Sequence, residues 1–259
     1  MVGGHMEIIG NGFLARHLAP LRAAYPQVSV VAAGVPRHHL PDSAHEREAA
    51  LVRDVVRACR SGGRTLVFLS TVSMYGGPGC RGREDDPVVP STRYGRHKYE
   101  LEGVVRASGV DHLILRLAYV MGPYGPDFRL LPALIRQIRS GRVDVHRGAR
   151  RDMLHVADFV ILFERLLRAG IRNEVVNVAS GDCADIAQVI DYVERCLGVV
   201  AEHRIVEAQA LSYCASVAKL KRLVPEAWDL RFGPGYHRLA IERYLRETGQ
   251  WAAVPGPAG

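Results

Sequence analysis

The 259-residue chain reads as an α/β protein: a doubly wound parallel sheet followed by a smaller C-terminal lobe. Three observations point there. A short apolar segment, Glu7-Ile8-Ile9, runs into a glycine turn and then a helical repeat; strand-like and helix-like segments alternate after it; and Leu66-Val67-Phe68-Leu69 is continuously apolar, as in a strand covered by helices on both faces.

Each element follows from its pattern. Beyond Gly10-Asn11-Gly12, Leu14, His17, Leu18 and Leu21 recur at helical spacing. Val28 to Ala33 predicts the second strand, and Ala44 to Cys59 a helix with Leu51, Val52, Val55 and Val56 on one face. Thr65 to Ser70 predicts the third strand, Thr92 to Ala107 a helix, and His112 to Val120 a fourth strand. Such alternation implies right-handed crossovers. Past Gly122-Pro123-Tyr124-Gly125-Pro126 the pattern loosens: helices are expected at 130–139, 158–168, 184–197 and 236–247, a strand at 175–178, a polar connection after 139 and a frayed tail from Trp251. Residues 1–125 read as a dinucleotide-binding core with the catalytic helix. Residues 126–259 read as mixed, part lobe and part completing the sheet.

Composition narrows the function classes. With 48% hydrophobic and 24% charged residues the chain has ordinary globular statistics. No run of eighteen apolar residues occurs, and the N-terminus lacks a secretory pattern, so a cytoplasmic location and no membrane partner are expected. Met6 reads as the native start, preceded by an appended Met1–His5 segment. The net charge of +7 suits an anionic partner, yet the basic residues are dispersed and not interleaved with aromatics. A phosphorylated small molecule explains that balance as well as nucleic acid does, a stacking platform for single strands has no support, and nucleic acid is not expected as a partner. Five cysteines without Cys-x-x-Cys spacing predict reduced thiols, neither a disulfide framework nor a zinc site. The adjacent His38 and His39 share no face with each other, and no metal is expected.

Two motifs carry chemistry. Gly10-x-Gly12-x-x-Ala15 sits where a strand passes into a helix, the context in which small residues let backbone approach a pyrophosphate. No acid occurs between Arg16 and Asp42 to bond an adenosine ribose, and Arg16 and Arg37 suit a 2′-phosphate, so NAD and NADP both stay open. Tyr94 and Lys98 lie four apart on a predicted helix, where an ammonium can approach a phenol and favour its ionised form for proton transfer.

Thr71, Tyr94, Lys98 and the glycine turn together resemble the extended short-chain dehydrogenase/reductase branch, the NAD-dependent epimerase/dehydratase family that modifies nucleotide sugars. Ser70-Thr71-Val72-Ser73-Met74-Tyr75-Gly76, then Glu84, Pro87, Pro90 and Glu102, Leu115-Arg116 through Gly122-Pro123, Arg151-Asp152-x-x-His155-Val156-x-Asp158 and Asn177-Val178-Ala179-Ser180-Gly181 follow its landmarks in order. The resemblance implies a Rossmann-like fold with Thr71, Tyr94 and Lys98 catalytic. It implies that Gly10, Asn11, Gly12, Phe13, Leu14, Ala15, Ala33, Gly34, Leu69, Ser70, Tyr94 and Lys98 bind NAD or NADP, and that Ser73, Tyr119 and Arg151 bind a nucleotide-sugar or other sugar substrate. A homodimer joined partly through the Tyr94 helix is also implied.

Three departures accompany it. The glycine turn and Thr71 lie closer together than the family's usual span, so the fold is expected to lack about one strand-helix pair on the adenosine side. Tyr119 stands where an Asn is usual. Val72 and Ser73 stand where sugar dehydratases keep titratable acids, which disfavours dehydration. The expected activity is hydride transfer at a carbinol or ketone, as an epimerase or ketoreductase; the alternative is a redox-idle dinucleotide-binding module with a sensing or docking role.

Overall fold

A computed structural model describes residues 4–34, 41–75, 80–207, 212–226 and 231–251. Strand β1 (Glu7–Ile9) passes through the glycine turn into α1 (Phe13–Leu18) and a 3-10 turn. Then come β2 (Val28–Val31), α2 (Asp42–Gly62), β3 (Thr65–Thr71), α3 (Arg93–Arg106) and β4 (His112–Leu117). Helix α2 buries Val52, Val55, Val56 and Cys59 along one stripe, and it ends where Gly63 turns left-handed and its N–H reaches Cys59 O. Thr92 caps α3 by accepting from Gly95 N at 3.0 Å.

The second half contributes β5 (Tyr119–Met121), α4 (Leu130–Arg139), β6 (Arg142–His146), β7 (Arg150–His155), α5 (Val156–Arg168) and β8 (Glu174–Val178). After these follow β9 (Cys183–Asp185), α6 (Ile186–Leu197), β10 (Glu202–Val206), β11 (Ser212–Tyr213), α7 (Ala218–Leu223) and α8 (Tyr236–Glu247).

The main sheet is wholly parallel, in the order β1-β2-β3-β4-β8. Alternate residues of its strands point to opposite faces. Val67, Leu69, Leu113 and Leu115 pack with Phe13 and Leu18 of α1 and Phe159 and Phe163 of α5; Leu66, Phe68 and Ile114 pack with α2 and α3 on the other face. The sheet is therefore covered on both sides, as expected. Because the strands step in one direction while α1 and α2 lie on opposite faces, the first two crossovers have opposite hands, and right-handedness throughout does not hold. Strand β1 is the sheet's edge among the described residues, in keeping with the shortened adenosine side.

Other expectations need correction. The fourth strand does not run on to Val120: it breaks at Ala118, whose N–H bonds Val178 O, and β5 leaves to pair with β7 in a second sheet. The polar connection after 139 contains β6, which pairs with β10 and buries only Val143 and Val145, alternating with Arg142, Asp144 and His146. The cysteines are not all reduced, since Cys183 and Cys214 form a disulfide with Cα atoms 5.5 Å apart. Both flank β7: Cys183 pairs with Asp152 in the antiparallel β9 ladder, and Cys214 follows Tyr213, which pairs with Arg151. No sequence spacing could show that adjacency.

Candidate active site

The carboxyl ends of β1, β2 and β3 lie side by side, and the residues expected to bind a dinucleotide sit along that edge. Gly10 has φ +126°, and a Cβ there would come within 2.8 Å of Ala33 N and 2.9 Å of Ala32 C. Only glycine lets the turn pass so close to the end of β2. Asn11 and Gly12 are exposed, and nothing lies within 4 Å of a Cβ built on Gly12, so the start of α1 is open to a ligand. Phe13 and Ala15 instead turn into the core, with Leu14 half-buried beside them. Exposed Arg16 bonds the Asn11 carbonyl; Arg37, His38 and His39 lie outside the described residues.

Thr71 closes β3. Its hydroxyl accepts from Ser73 N at 3.1 Å and donates to Ser73 Oγ at 2.9 Å, which ties both residues into the 3-10 turn Val72–Met74. Helix α3 packs hard on that turn at Gly95, where a Cβ would meet Met74 Cα at 3.1 Å and Ser73 O at 3.2 Å. Half-buried Tyr94 precedes that contact. One turn later Lys98 reaches back to the same strand, donating to Leu69 O at 3.0 Å. The elements carrying Thr71, Tyr94 and Lys98 thus meet at the end of β3.

Lys98 has a second partner that the sequence did not announce. Its ammonium donates to Glu48 Oε1 at 2.8 Å, and His97 Nε2 lies 3.1 Å from Glu48 Oε2. All three are buried. Glu48 comes from α2, fifty residues earlier; among Glu46, Arg47 and Glu48 nothing marks one acid as inward.

Among the residues expected to meet substrate, Ser73 is buried on the Thr71 turn. The Tyr119 phenol accepts from Leu131 N at 3.0 Å at the start of α4, and Arg129 lies over its ring. Arg151 is half-buried with its guanidinium 4.2 Å from the Tyr213 ring centroid, and burial pulls its pKa down. Its neighbour Asp152 serves a different segment, accepting from Ser180 N, Ser180 Oγ and Gly181 N at 2.8–2.9 Å. Burial, only partly offset by those donors, pushes the Asp152 carboxyl up to about 7.

Several landmark residues meet in one buried network. Arg116 donates to both Glu102 oxygens and to the Tyr75 phenol; Ser70 Oγ donates to Glu102; Tyr75 donates to Asn177 Oδ1; and Glu84 accepts from Asn177 N. Burial pushes the Tyr75 phenol up to about 12 against the pull of Arg116. Tyr75 is therefore a neutral donor, and the network braces the strand ends that carry the site.

The family model for the NAD dependent epimerase/dehydratase family matches residues 14–179. The chain belongs to that family. A Bacillus subtilis protein named as an uncharacterized UDP-glucose epimerase is 24% identical over 199 residues, 72% of this chain and 62% of its own length. The chain spans less than two thirds of the length of the curated relatives it matches. Among solved structures, a UDP-N-acetylglucosamine 4-epimerase from Methanobrevibacter ruminantium, in complex with UDP-N-acetylmuramic acid, superposes with TM-score 0.79 at 14% identity, covering 96% of this chain and 99% of that one. A dTDP-glucose 4,6-dehydratase from Bacillus anthracis in complex with NAD gives 0.71 at 20% identity, covering 93% and 79%. These structural likenesses establish the fold. Among the described residues no helix is long and apolar enough to cross a membrane.

Proposed function

We propose that this protein is an NAD(P)-dependent enzyme acting by hydride transfer at a carbinol or ketone of a nucleotide-linked sugar, as an epimerase or ketoreductase. The observation that carries the reading is the meeting, at the carboxyl end of β3, of the Thr71 turn, the Tyr94 helix and the Lys98 ammonium, beside a glycine turn whose Gly10 admits no side chain. Membership of a family described as NAD dependent supports it, as do related proteins named for NAD and for UDP- and dTDP-sugars.

The residues fit such a cofactor: the open start of α1 suits a pyrophosphate, with Asn11 and Gly12 exposed and Gly34 exposed at the end of β2. When bound, the nicotinamide supplies the hydride acceptor or donor. Tyr94 takes the carbinol proton or returns it to a carbonyl, and Thr71 hydrogen-bonds the same oxygen and orients it. Lys98 holds a ribose hydroxyl. Arg151 and Ser73 face the sugar nucleotide, the guanidinium fork matching phosphate oxygens, and residues 126–259 outside β8 supply the walls of that lobe. Val72 and Ser73 offer no acid beside Thr71, so water elimination has no acid–base pair there.

A second reading, a redox-idle dinucleotide-binding module, draws on the edge position of β1, beyond which the adenosine side has no further strand among the described residues. Tyr94→Phe separates the two. With UDP- and dTDP-hexoses as probes, turnover lost while dinucleotide affinity is kept supports the enzyme; a wild-type protein that binds dinucleotide but turns over none of them supports the module.

A further inference from the structure

We propose that Glu48 is a positioning residue for Lys98: it fixes the charged end of that side chain at the carboxyl edge of β3, where the dinucleotide reading above places a ribose hydroxyl. The carboxylate one turn along α3, Glu102, is taken by Ser70 and Arg116. The lysine stem has four rotatable bonds, and left alone its ammonium would sample many positions. Two acceptors confine it, Glu48 Oε1 at 2.8 Å and Leu69 O at 3.0 Å, with the Phe68 ring centroid 4.7 Å away. An ammonium has three donors, so one remains to be directed.

The clamp is itself held. Glu48 Oε2 faces His97 Nε2 at 3.1 Å, so the carboxylate cannot rotate without breaking a second contact. His45 of α2 packs edge-on against His97 with centroids 4.7 Å apart, its Nδ1 3.3 Å from Pro41 O and its Nε2 buried without a hydrogen-bond partner. Among the described residues the ionisable groups of this cluster are Glu48 and His45 from α2 and His97 from α3, with Tyr94 one helical turn before Lys98; β3 offers a carbonyl and an aromatic face, and β2 offers Gly34.

Location separates this pair from a core salt bridge. A Cβ built on exposed Gly34 would lie 3.3 Å from both Lys98 Nζ and Glu48 Oε1, so the pair sits directly under the end of β2, among the expected cofactor contacts. A buried ion pair gains little stability over an apolar pair of equal volume. Placed here, it sets where a cation points.

The chain has three lysines, at 98, 219 and 221, so reductive methylation read residue by residue by mass spectrometry isolates Lys98 against two internal references. In the wild-type protein Lys98 should react at least about tenfold more slowly than exposed Lys221, as a desolvated, paired ammonium must. Glu48→Gln should raise the Lys98 rate about tenfold and weaken NADH binding by a similar factor, with Lys219 and Lys221 unchanged, while Glu48→Asp, which keeps the charge, stays within about threefold of wild type in both. Lys98 reacting as fast as Lys221 in the wild-type protein overturns the proposal, and so does an unchanged Lys98 rate in Glu48→Gln. Labelling needs no cofactor, so a wild-type protein that binds no NADH yet shows the protected Lys98 sinks the dinucleotide reading and leaves the pair standing.

Discussion

Arg116 Nη2 donates to Glu102 Oε2 over 2.7 Å, and both side chains are sealed from solvent. The pair joins β4 to α3, and through Ser70 and Tyr75 it reaches the end of β3. Arg116→Met would leave the Glu102 carboxylate buried without its cation. It should destabilise the fold by roughly 3–5 kcal/mol, measured as the shift in urea midpoint at constant slope. Tyr75→Phe keeps the ion pair and should cost only about 1–3 kcal/mol, the loss of bonds to Asn177 and Arg116.

Gly10→Ala should act on both stability and ligand retention. Its positive φ and the approach to the Ala32–Ala33 backbone force either the turn or β2 to move. Stability should fall by at least about 1 kcal/mol, and dinucleotide affinity should fall with it, because the displaced turn is the proposed pyrophosphate contact. Thermal unfolding with and without NAD checks this: NAD should raise the Tm of the wild-type protein, and that rise should vanish in Gly10→Ala.

Asp152 makes stability depend on pH. Its carboxyl sits near 7 in the folded protein against 3.8 unperturbed, so between those values the folded state holds the proton more tightly than the unfolded chain. Stability contributed by this group is therefore full at low pH and declines as pH rises through 4 to 7, by up to about 1.4 kcal/mol per pH unit. Asp152→Asn should remove that slope in denaturation curves taken across the window. It should also lower stability overall, since an amide cannot accept from Ser180 and Gly181 at once.

Cutting the Cys183–Cys214 link, which closes a 31-residue span, should cost about 2–4 kcal/mol through the freedom regained by the unfolded chain. Cys183→Ser/Cys214→Ser should unfold at lower temperature than the oxidised protein and match it after reduction. Equal melting of both in the absence of reductant would show that the bond is not formed in solution.

Much of this protein was legible in linear order. Periodicity located α2, α3, α4 and α8 to within a few residues, because each buries one stripe, and Leu66 to Leu69 announced a strand covered on both faces. The break at Ala118 was not legible, because Leu117 and Val120 are equally apolar and only their partners differ, β8 for one strand and β7 for the other. Strand β6 hid because its other residues are polar or charged and its buried valines number two.

The sequence by itself determined the α/β class, the glycine turn, and the Thr71, Tyr94 and Lys98 landmarks, since each depends on residues near one another along the chain. Only the tertiary structure decided that β1 lies at the edge among the described residues, that Cys183 meets Cys214 across β7, that Arg116 is spent on Glu102, and that Glu48 reaches Lys98. Those relations join residues far apart in sequence, and such partners are chosen by how the layers stack, which no local pattern encodes.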